Sequence, residues 1–228
     1  MGSSGSQAGA RRHAVIFLGA PGAGKGTQAK EVALALGLPH LSTGDMFRDH
    51  VGRGTELGRA AQPIMDRGDL VPDKIVLGMV EERIARPDCE RGFVFDGFPR
   101  TLAQAEALDR ILTVRGFRNA TVLHIVVAEE QLLRRLTGRR SCKRCGEIYN
   151  LYDRPPKQEG RCDKDGGELV QRDDDREEVI RARKAAYDRQ TRPLVHYYSG
   201  QRVLVDIDGV GAPQAITRKV LEVLGAAQ

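Results

Sequence analysis

Residues 19–27 read Gly-Ala-Pro-Gly-Ala-Gly-Lys-Gly-Thr, between a short apolar run at 14–18 and a helical pattern that ends near Gly37. A strand, a glycine-rich turn and a helix in this order are typical of a phosphate-binding loop. The glycines let backbone N–H groups turn towards an anion, and the N-terminus of the helix adds its favourable dipole. Lys25 can reach the outer phosphates from this loop. The loop therefore predicts that the chain binds a nucleoside polyphosphate.

The rest of the chain alternates between apolar runs and helical patterns. The runs that predict strands are residues 14–18, 93–95, 122–127 and 203–205, and the helical patterns include residues 101–112 and 131–136. Such alternation indicates an α/β fold, with helices flanking a parallel sheet. Two segments interrupt it. Residues 42–85 predict helices alone, and residues 138–175 combine three cysteines, paired prolines and an acidic run.

The composition excludes several classes of protein. With 40% hydrophobic and 29% charged residues and a net charge of +5, the chain is typical of folded globular proteins. No window approaches eighteen uninterrupted apolar residues, so we expect no membrane span. Residues 1–12 lack the apolar core of a signal peptide, and we expect them to form a disordered leader or tag. The expected location is cytoplasmic, where disulfides are rare.

Three of the four cysteines form a pattern with metal-ligand spacing. Cys142 and Cys145 are followed, after sixteen residues, by Cys162 and Asp165, and a glycine follows each pair directly. This spacing predicts one tetrahedral Zn²⁺ with four protein ligands and no open position, which is typical of a structural site. Asp163 breaks the two-residue spacing and is the weaker candidate. Free thiols in a metal-free segment are the alternative.

The position of the threonine in the glycine-rich loop indicates a resemblance to a known protein family. Where the general pattern has Ser or Thr directly after the lysine, this chain has Gly26 and only then Thr27. The loop resembles that of nucleoside monophosphate kinases, and of adenylate kinases in particular. The resemblance continues through Leu-Ser-Thr-Gly-Asp-Met-Phe-Arg at 41–48, Phe-Asp-Gly-Phe-Pro-Arg at 95–100 and Leu-Thr-Gly-Arg-Arg at 136–140. It spans residues 14–225.

The resemblance implies a P-loop NTPase-type enzyme that transfers a phosphoryl group reversibly from MgATP to AMP, giving two ADP, for adenine nucleotide homeostasis. The expected partners are ATP, AMP and ADP, without nucleic acid or membrane, and the expected state is a monomer. Residues 13–41, 72–137 and 176–228 would form the core. Residues 42–71, the acceptor segment, would bind the monophosphate, and residues 138–175, the cysteine segment, would form a zinc-binding lid. Both would close to exclude water.

The resemblance also implies binding residues. Those for ATP are Gly22, Ala23, Gly24, Lys25, Gly26, Thr27, Arg135, Arg139, Ile148, Tyr149 and Gly211. Those for AMP are Thr43, Arg48, Asp69, Leu70, Val71, Gly97, Phe98, Pro99, Arg100, Gln104, Arg172 and Arg183. The implied catalytic residues are Lys25, Arg100, Arg139, Arg172 and Arg183. Asp45 and Asp96 would hold Mg²⁺ through water, which suits an ion that keeps much of its hydration shell.

Several of these side chains have simpler structural explanations. Thr43 is also a candidate helix N-cap. Thr101 and Gln104 match a capping box, in which each side chain bonds to the other residue's backbone. Asp175 is a candidate cap for the helix that follows it. Cys89 has no partner by spacing, and we interpret it as an ordinary buried thiol.

Four arginines flank the cysteine segment on both sides, namely Arg135, Arg139, Arg172 and Arg183. Any one of them alone would more often be a solvated surface residue, but all four match family positions. Arg135 and Arg139 would share a helix face if their helix reaches Gly138. By resemblance, Arg135 would stack on the ATP base and Arg139 would bind ATP. Arg172 and Arg183 would contact the phosphates of both nucleotides.

Other functions fit the sequence less well. A nucleic-acid-binding module would suit the basic excess and the cysteines, but the arginines form no stripe and aromatic residues are only 5% of the chain. A GTPase would share the loop, but the chain has no Asn-Lys-x-Asp element. A kinase of another nucleoside monophosphate is the nearest alternative. Thr43 and Gln104 favour AMP.

Overall fold

The structure, a computed structural model, describes residues 12–117 and 120–226. The leader expected at residues 1–12 falls outside these ranges except for Arg12. The strands are β1 (His13–Leu18), β2 (His40–Ser42), β3 (Gly92–Asp96), β4 (Ala120–Val126), β5 (Arg139–Cys142), β6 (Ile148–Asn150), β7 (Leu169–Val170) and β8 (Leu204–Asp208). The α-helices are α1 (Lys25–Leu36), α2 (Thr43–Gly52), α3 (Glu56–Asp66), α4 (Asp73–Ile84), α5 (Leu102–Val114), α6 (Glu129–Thr137), α7 (Glu177–Ala186), α8 (Pro193–Gly200) and α9 (Pro213–Val223).

The central sheet has the strand order β2-β3-β1-β4-β8, and all of its strands are parallel. Residues 14–18 of β1 are buried, as their uninterrupted apolar sequence predicts for a strand covered on both faces. Because β1 has a neighbour on each side, the loop that follows it lies in the middle of the carboxyl edge. Open α/β sheets bind their ligands at this edge. The predicted α/β fold is confirmed.

Helices cover the sheet on both faces. Successive residues of a strand point to opposite faces, and in β1 they enter two separate hydrophobic layers. Ile16 packs in one layer with residues of α4, α5 and α8. Phe17 packs in the other layer with residues of α1 and α9. The loop is therefore anchored by a strand that is packed from both sides.

The element predictions differ from the structure at several points, which include β2, β8 and the unpredicted strands β5, β6 and β7. Strand β2 was missed because its three residues are too short to form a recognisable apolar run. Strand β8 continues to Asp208, beyond the predicted apolar stretch. The prediction of helices alone after β2 is confirmed by α2, α3 and α4. Over the described ranges, no helix combines the length and apolar composition that crossing a bilayer requires.

The cysteine segment forms its own antiparallel sheet, with the order β6-β5-β7. Its buried hydrophobic cluster consists of Cys142, Tyr149, Cys162 and Leu169. Two of these four are candidate metal ligands, so little apolar area is left to stabilise the sheet. The segment therefore needs a source of stability other than its own core.

Candidate active site

A cleft of about 730 Å³ opens at the carboxyl edge of the parallel sheet and is lined by the phosphate-binding loop. Gly22 and Gly24 have φ angles of 85° and 98°, in the left-handed region that favours glycine. Gly24 is the N-cap of α1, and Lys25 begins that helix. The Lys25 ammonium folds back over the loop and donates to the carbonyl of Ala20 at 2.9 Å. The positive end of the α1 dipole and the charge of the Lys25 ammonium therefore lie at the same place in the cleft.

Gly26 explains the unusual loop pattern in steric terms. A Cβ at this position would lie 2.9 Å from a carboxylate oxygen of Asp96, which ends β3. Serine or threonine here would therefore force the Asp96 carboxylate to move. The glycine keeps an acidic side chain beside the start of α1, where it lines the cleft.

Five cations that line the cleft have no ion-pair partner within the described part of the chain: Lys25, Lys30, Arg100, Arg135 and Arg172. The three arginines are instead held by neutral acceptors. Arg100 donates to Gly97 O at 2.7 Å, Arg135 to Gly209 O at 2.9 Å and Arg172 to Ser141 Oγ at 2.8 Å.

The pKa shifts of Lys25 and Arg172 have a common origin. Burial lowers the pKa of Lys25 to about 8, although the Asp96 charge acts in the opposite direction. Burial and the nearby charges of Arg48 and Arg139 lower the pKa of Arg172. These directions are those of cations crowded together without enough counter-charge. Such a cleft is suited to a polyanion.

Two further arginines are paired with buried acids. Arg139 forms a forked ion pair with the Asp175 carboxylate, which is fully buried. Arg183 lies 2.9 Å from Asp174 and 3.3 Å from Asp175. The expectation that Asp175 caps the next helix is wrong, because α7 begins at Glu177 without a side-chain cap. Its carboxylate joins the two ends of the cysteine segment instead.

Arg48 and Asp45 face each other across one turn of α2. Their ion pair measures 2.6 Å. Partial burial would raise the pKa of Asp45, but the charge and hydrogen bond of Arg48 outweigh it and lower the pKa to about 2. Asp45 is therefore a carboxylate at neutral pH. Both side chains line the cleft.

Thr43 does not cap α2, contrary to the alternative that the sequence left open. The N-cap is Ser42, whose side chain accepts a hydrogen bond from Asp45 N at 3.2 Å. Thr43 is buried and donates its hydroxyl proton to Gly97 O at 2.9 Å. It therefore links the start of α2 to the turn after β3.

The proposed capping box of α5 is half correct. Thr101 is the N-cap and accepts from Gln104 N at 3.2 Å. The Gln104 side chain, however, accepts from Arg100 N at 2.8 Å rather than from the cap residue itself. Its amide nitrogen donates to Asp73 at 2.7 Å.

The cleft brings together the residues implied for ATP, AMP and Mg²⁺, with two exceptions within the described ranges. Phe98 and Pro99 do not line it, and the Phe98 ring packs 5.2 Å from Phe95 in the core. The idea that Arg135 and Arg139 share a helix face is wrong, because α6 ends at Thr137 and Arg139 begins β5. Both side chains reach the cleft nevertheless.

Three acidic residues of this region were missed or misread from the sequence. Asp174 and Asp175 belong to an acidic run that looks like a solvated surface or a helix cap. Asp73 is the first residue of α4 and looks like an ordinary helix-start acid. Only the tertiary fold places these carboxylates beside arginine or glutamine side chains from distant parts of the chain.

The four predicted zinc ligands converge in the cysteine segment. One ligand atom each from Cys142, Cys145, Cys162 and Asp165 lies within 4.8 Å of the others. The sulfurs of Cys145 and Cys162 are 3.6 Å apart, close to the separation of about 3.8 Å that two thiolates have around a tetrahedral Zn²⁺. The donor set therefore fits a metal ion of this kind.

Neighbouring side chains support the choice of ligands. Asp163 turns away from the cluster and accepts from Lys157 N at 2.9 Å. The hydroxyl of Tyr149 lies 3.5 Å from the sulfur of Cys162 and accepts from Asp163 N at 2.8 Å. Cys89 is far from this segment in the chain and is buried, as expected, with its sulfur beside Arg83.

Comparison with known proteins gives a consistent result. A family model described as adenylate kinase matches residues 17–203. The chain is similar to an adenylate kinase from Archaeoglobus fulgidus, with 51% identity over 92% of this chain and 97% of the relative. It is also similar to one from Thermodesulfovibrio yellowstonii, with 52% identity over 92% and 98%. A third, from Anaeromyxobacter sp. (strain Fw109-5), is 51% identical over 91% and 98%.

Proposed function

The chain belongs to the adenylate kinase family, an enzyme family that transfers a phosphoryl group reversibly between ATP and AMP, and from this premise we propose which of its residues perform each part of the reaction. ATP binds at the phosphate-binding loop, with Lys25 on its outer phosphates. AMP binds between α2 and the turn after β3. The enzyme serves adenine nucleotide homeostasis, as a cytoplasmic monomer.

The cations without ion-pair partners carry this proposal. Lys25, Arg100, Arg135 and Arg172 line the same cleft as the loop, and their side chains are already held by neutral carbonyl or hydroxyl oxygens. Phosphoryl transfer needs little covalent chemistry from a protein, since positioning and charge stabilisation account for most of the rate. A set of positioned cations that lacks counter-ions meets that requirement.

The roles of the individual arginines follow from their positions. Arg48 and Arg100 bind the phosphate of AMP, and Arg139, Arg172 and Arg183 stabilise charge on the phosphoryl group that moves. No side chain acts as a base, because the attacking phosphate oxygen of AMP is already ionised. The cleft must therefore hold donor and acceptor in line and keep competing water away.

Two metal ions complete the site in this proposal. Asp45 and Asp96 would hold the Mg²⁺ that accompanies ATP through water, and the ion would supply further positive charge. Asp96 is suited to this because Gly26 leaves space beside its carboxylate. Zn²⁺ is structural and is held by Cys142, Cys145, Cys162 and Asp165.

We assign the exclusion of water to the acceptor segment and the cysteine segment. The acceptor segment and the cysteine segment both line the cleft, so their movement towards each other would enclose it. The cysteine segment acts as the lid. Hydrolysis of ATP in the absence of AMP is the side reaction that this closure limits.

The preference for AMP is assigned to Thr43 and Gln104, which line the acceptor side of the cleft. The test is ADP formation from MgATP with AMP, CMP, UMP and GMP offered in parallel. We expect strong preference for AMP. Preference for another monophosphate would overturn the acceptor assignment and keep the donor site, and transfer to none of the four would overturn the proposed reaction.

A further inference from the structure

Asp73 is a carboxylate that lies beside the acceptor site without lining the cleft itself. It begins α4, and its two oxygens have different partners at the start of α5. One accepts from the Thr101 hydroxyl at 2.9 Å, and the other accepts from the Gln104 amide nitrogen at 2.7 Å. The Asp73 carboxylate therefore binds both the N-cap residue of α5 and a residue one turn further along that helix.

These contacts fix the orientation of the Gln104 amide. Its nitrogen donates to Asp73 and its oxygen accepts from Arg100 N at 2.8 Å. A flipped amide would set its oxygen against the carboxylate and its NH₂ group against the N–H of Arg100, so both bonds would be lost. Gln104 is also only 1% exposed, which makes an unsatisfied amide costly.

An amide of fixed orientation distinguishes purine bases. The amide group keeps one N–H and one oxygen lone pair for a ligand, in a fixed spatial order. On its Watson–Crick edge, adenine pairs an acceptor at N1 with a donor at N6. Hypoxanthine and guanine reverse this order, with a donor at N1 and an acceptor at O6. An amide that matches one edge therefore opposes the other.

We propose that Asp73 is a positioning residue that sets the base specificity of the acceptor site, by locking the Gln104 amide in the orientation that suits adenine. The inference rests on the proposed binding of AMP beside Gln104. The geometry that carries it is the pair of contacts from Asp73 and from the Arg100 backbone, which act on opposite ends of the same amide. Asp73 itself needs no contact with the nucleotide.

The test is Asp73→Asn, which keeps the size of the side chain and adds an NH₂ group that can donate to a flipped Gln104. The measurement is kcat/KM for AMP and for IMP with MgATP fixed. We expect the AMP-to-IMP ratio to fall about tenfold to a hundredfold, since a hydrogen bond to a charged group contributes about 1.5–3 kcal/mol. Asp73→Ser removes the carboxylate in a second way and should lower the ratio in the same direction. Glu130→Gln, an exposed first-turn acid of α6, is the matched control and should leave the ratio unchanged.

A double-mutant cycle separates this role from a general effect on α4. In a Gln104→Met background the amide is absent, so Asp73→Asn should no longer change the AMP-to-IMP ratio. A ratio within twofold of wild type in both Asp73 variants would overturn the proposal, as would an equal drop in the Gln104→Met background. A wild-type enzyme that does not prefer AMP would instead overturn the acceptor assignment itself.

Discussion

The base of the nucleotide cleft and the cysteine segment are adjacent in space but are stabilised differently. The base rests on five parallel strands buried between two layers of helices. The cysteine segment has three short antiparallel strands and a buried cluster of four residues, two of which are cysteines. Burial of apolar area stabilises the first region, whereas the second has ion pairs at its ends and a donor set that could hold a metal ion.

This difference separates two kinds of perturbation. A change in the base of the cleft that leaves the apolar layers intact should alter chemistry without unfolding. A change in the proposed zinc site, or in the ion pairs at the ends of the cysteine segment, should unfold or loosen that segment while the parallel sheet stays folded.

Metal removal should have the largest effect. Zinc binding contributes roughly 10–16 kcal/mol to the folding of small zinc domains, so a strong chelator or Cys162→Ser should unfold the cysteine segment at a temperature at which the core remains folded. Limited proteolysis followed by mass spectrometry would locate cleavage within residues 138–175. Cys89→Ser is the control and should retain one metal ion per chain. Protein that is free of zinc when prepared without chelator would contradict the assignment.

Loss of the loop ammonium should come next. Lys25→Met should reduce turnover by about 10³–10⁵-fold, the range found for a single charge on a transferring phosphoryl group. The unfolding midpoint should stay close to that of the unmodified chain, because the side chain has no ion pair to lose among the described residues. Steady-state ADP formation and a thermal melt would be measured on the same preparation. A near-normal rate would exclude the role assigned to Lys25.

Loss of the buried Asp175 charge, which joins the ends of the cysteine segment, should lower stability by an intermediate amount. Asp175→Asn leaves Arg139 and Arg183 without their full counter-charge, and breaking a buried ion pair in this way costs about 3 kcal/mol. Denaturant unfolding would measure the loss. Asp173→Asn changes an exposed acid two residues away and should leave the free energy of unfolding almost unchanged. Equal losses in both variants would show that burial is not the cause.

The smallest expected effect is a dependence on pH. The pKa of Lys25 is about 8 in the folded chain, below its ordinary value of 10.5, so Lys25 is charged below pH 8 and progressively neutral above it. Bound phosphate favours the charged form, and affinity for ADP in magnesium-free buffer should therefore fall as the pH rises through 8, by at most tenfold per pH unit. Calorimetric titrations from pH 7 to 10 would measure it. Lys25→Arg keeps its charge, and its affinity should show no inflection near pH 8.

Much of the molecule can be predicted from the sequence because the relevant signals are local. A strand, a glycine-rich loop and a helix occur in one short stretch. The spacing of two residues within each pair predicts Cys142, Cys145, Cys162 and Asp165 as metal ligands without tertiary information. The parallel sheet follows from the alternation of elements. These are the parts in which sequence neighbours are also spatial neighbours.

The parts that could not be predicted depend on contacts between distant residues. Asp175 resembles a helix cap in the sequence, yet it pairs with Arg139, 36 positions earlier. Asp73 resembles an acid that favours a helix start, yet it binds Gln104, 31 positions later. Thr43 was compatible with a capping role until Ser42 proved to be the cap. In each case the local explanation was reasonable, and the fold supplied a distant partner.

The ion pair between Arg139 and Asp175 has a consequence for how this chain can change over evolutionary time. The two residues stand at the entrance and the exit of the cysteine segment, so the inserted length between them is closed by a bond at its own base. The entropic cost of closing a loop increases only slowly with the length of the loop. We therefore expect that the residues between these two positions, apart from the proposed nucleotide contacts Ile148, Tyr149 and Arg172, can be lengthened, shortened or replaced while Arg139 keeps its place. A transplant bounded by Arg139 and Asp175 that retains an arginine at position 172 would be the natural starting point for engineering this segment.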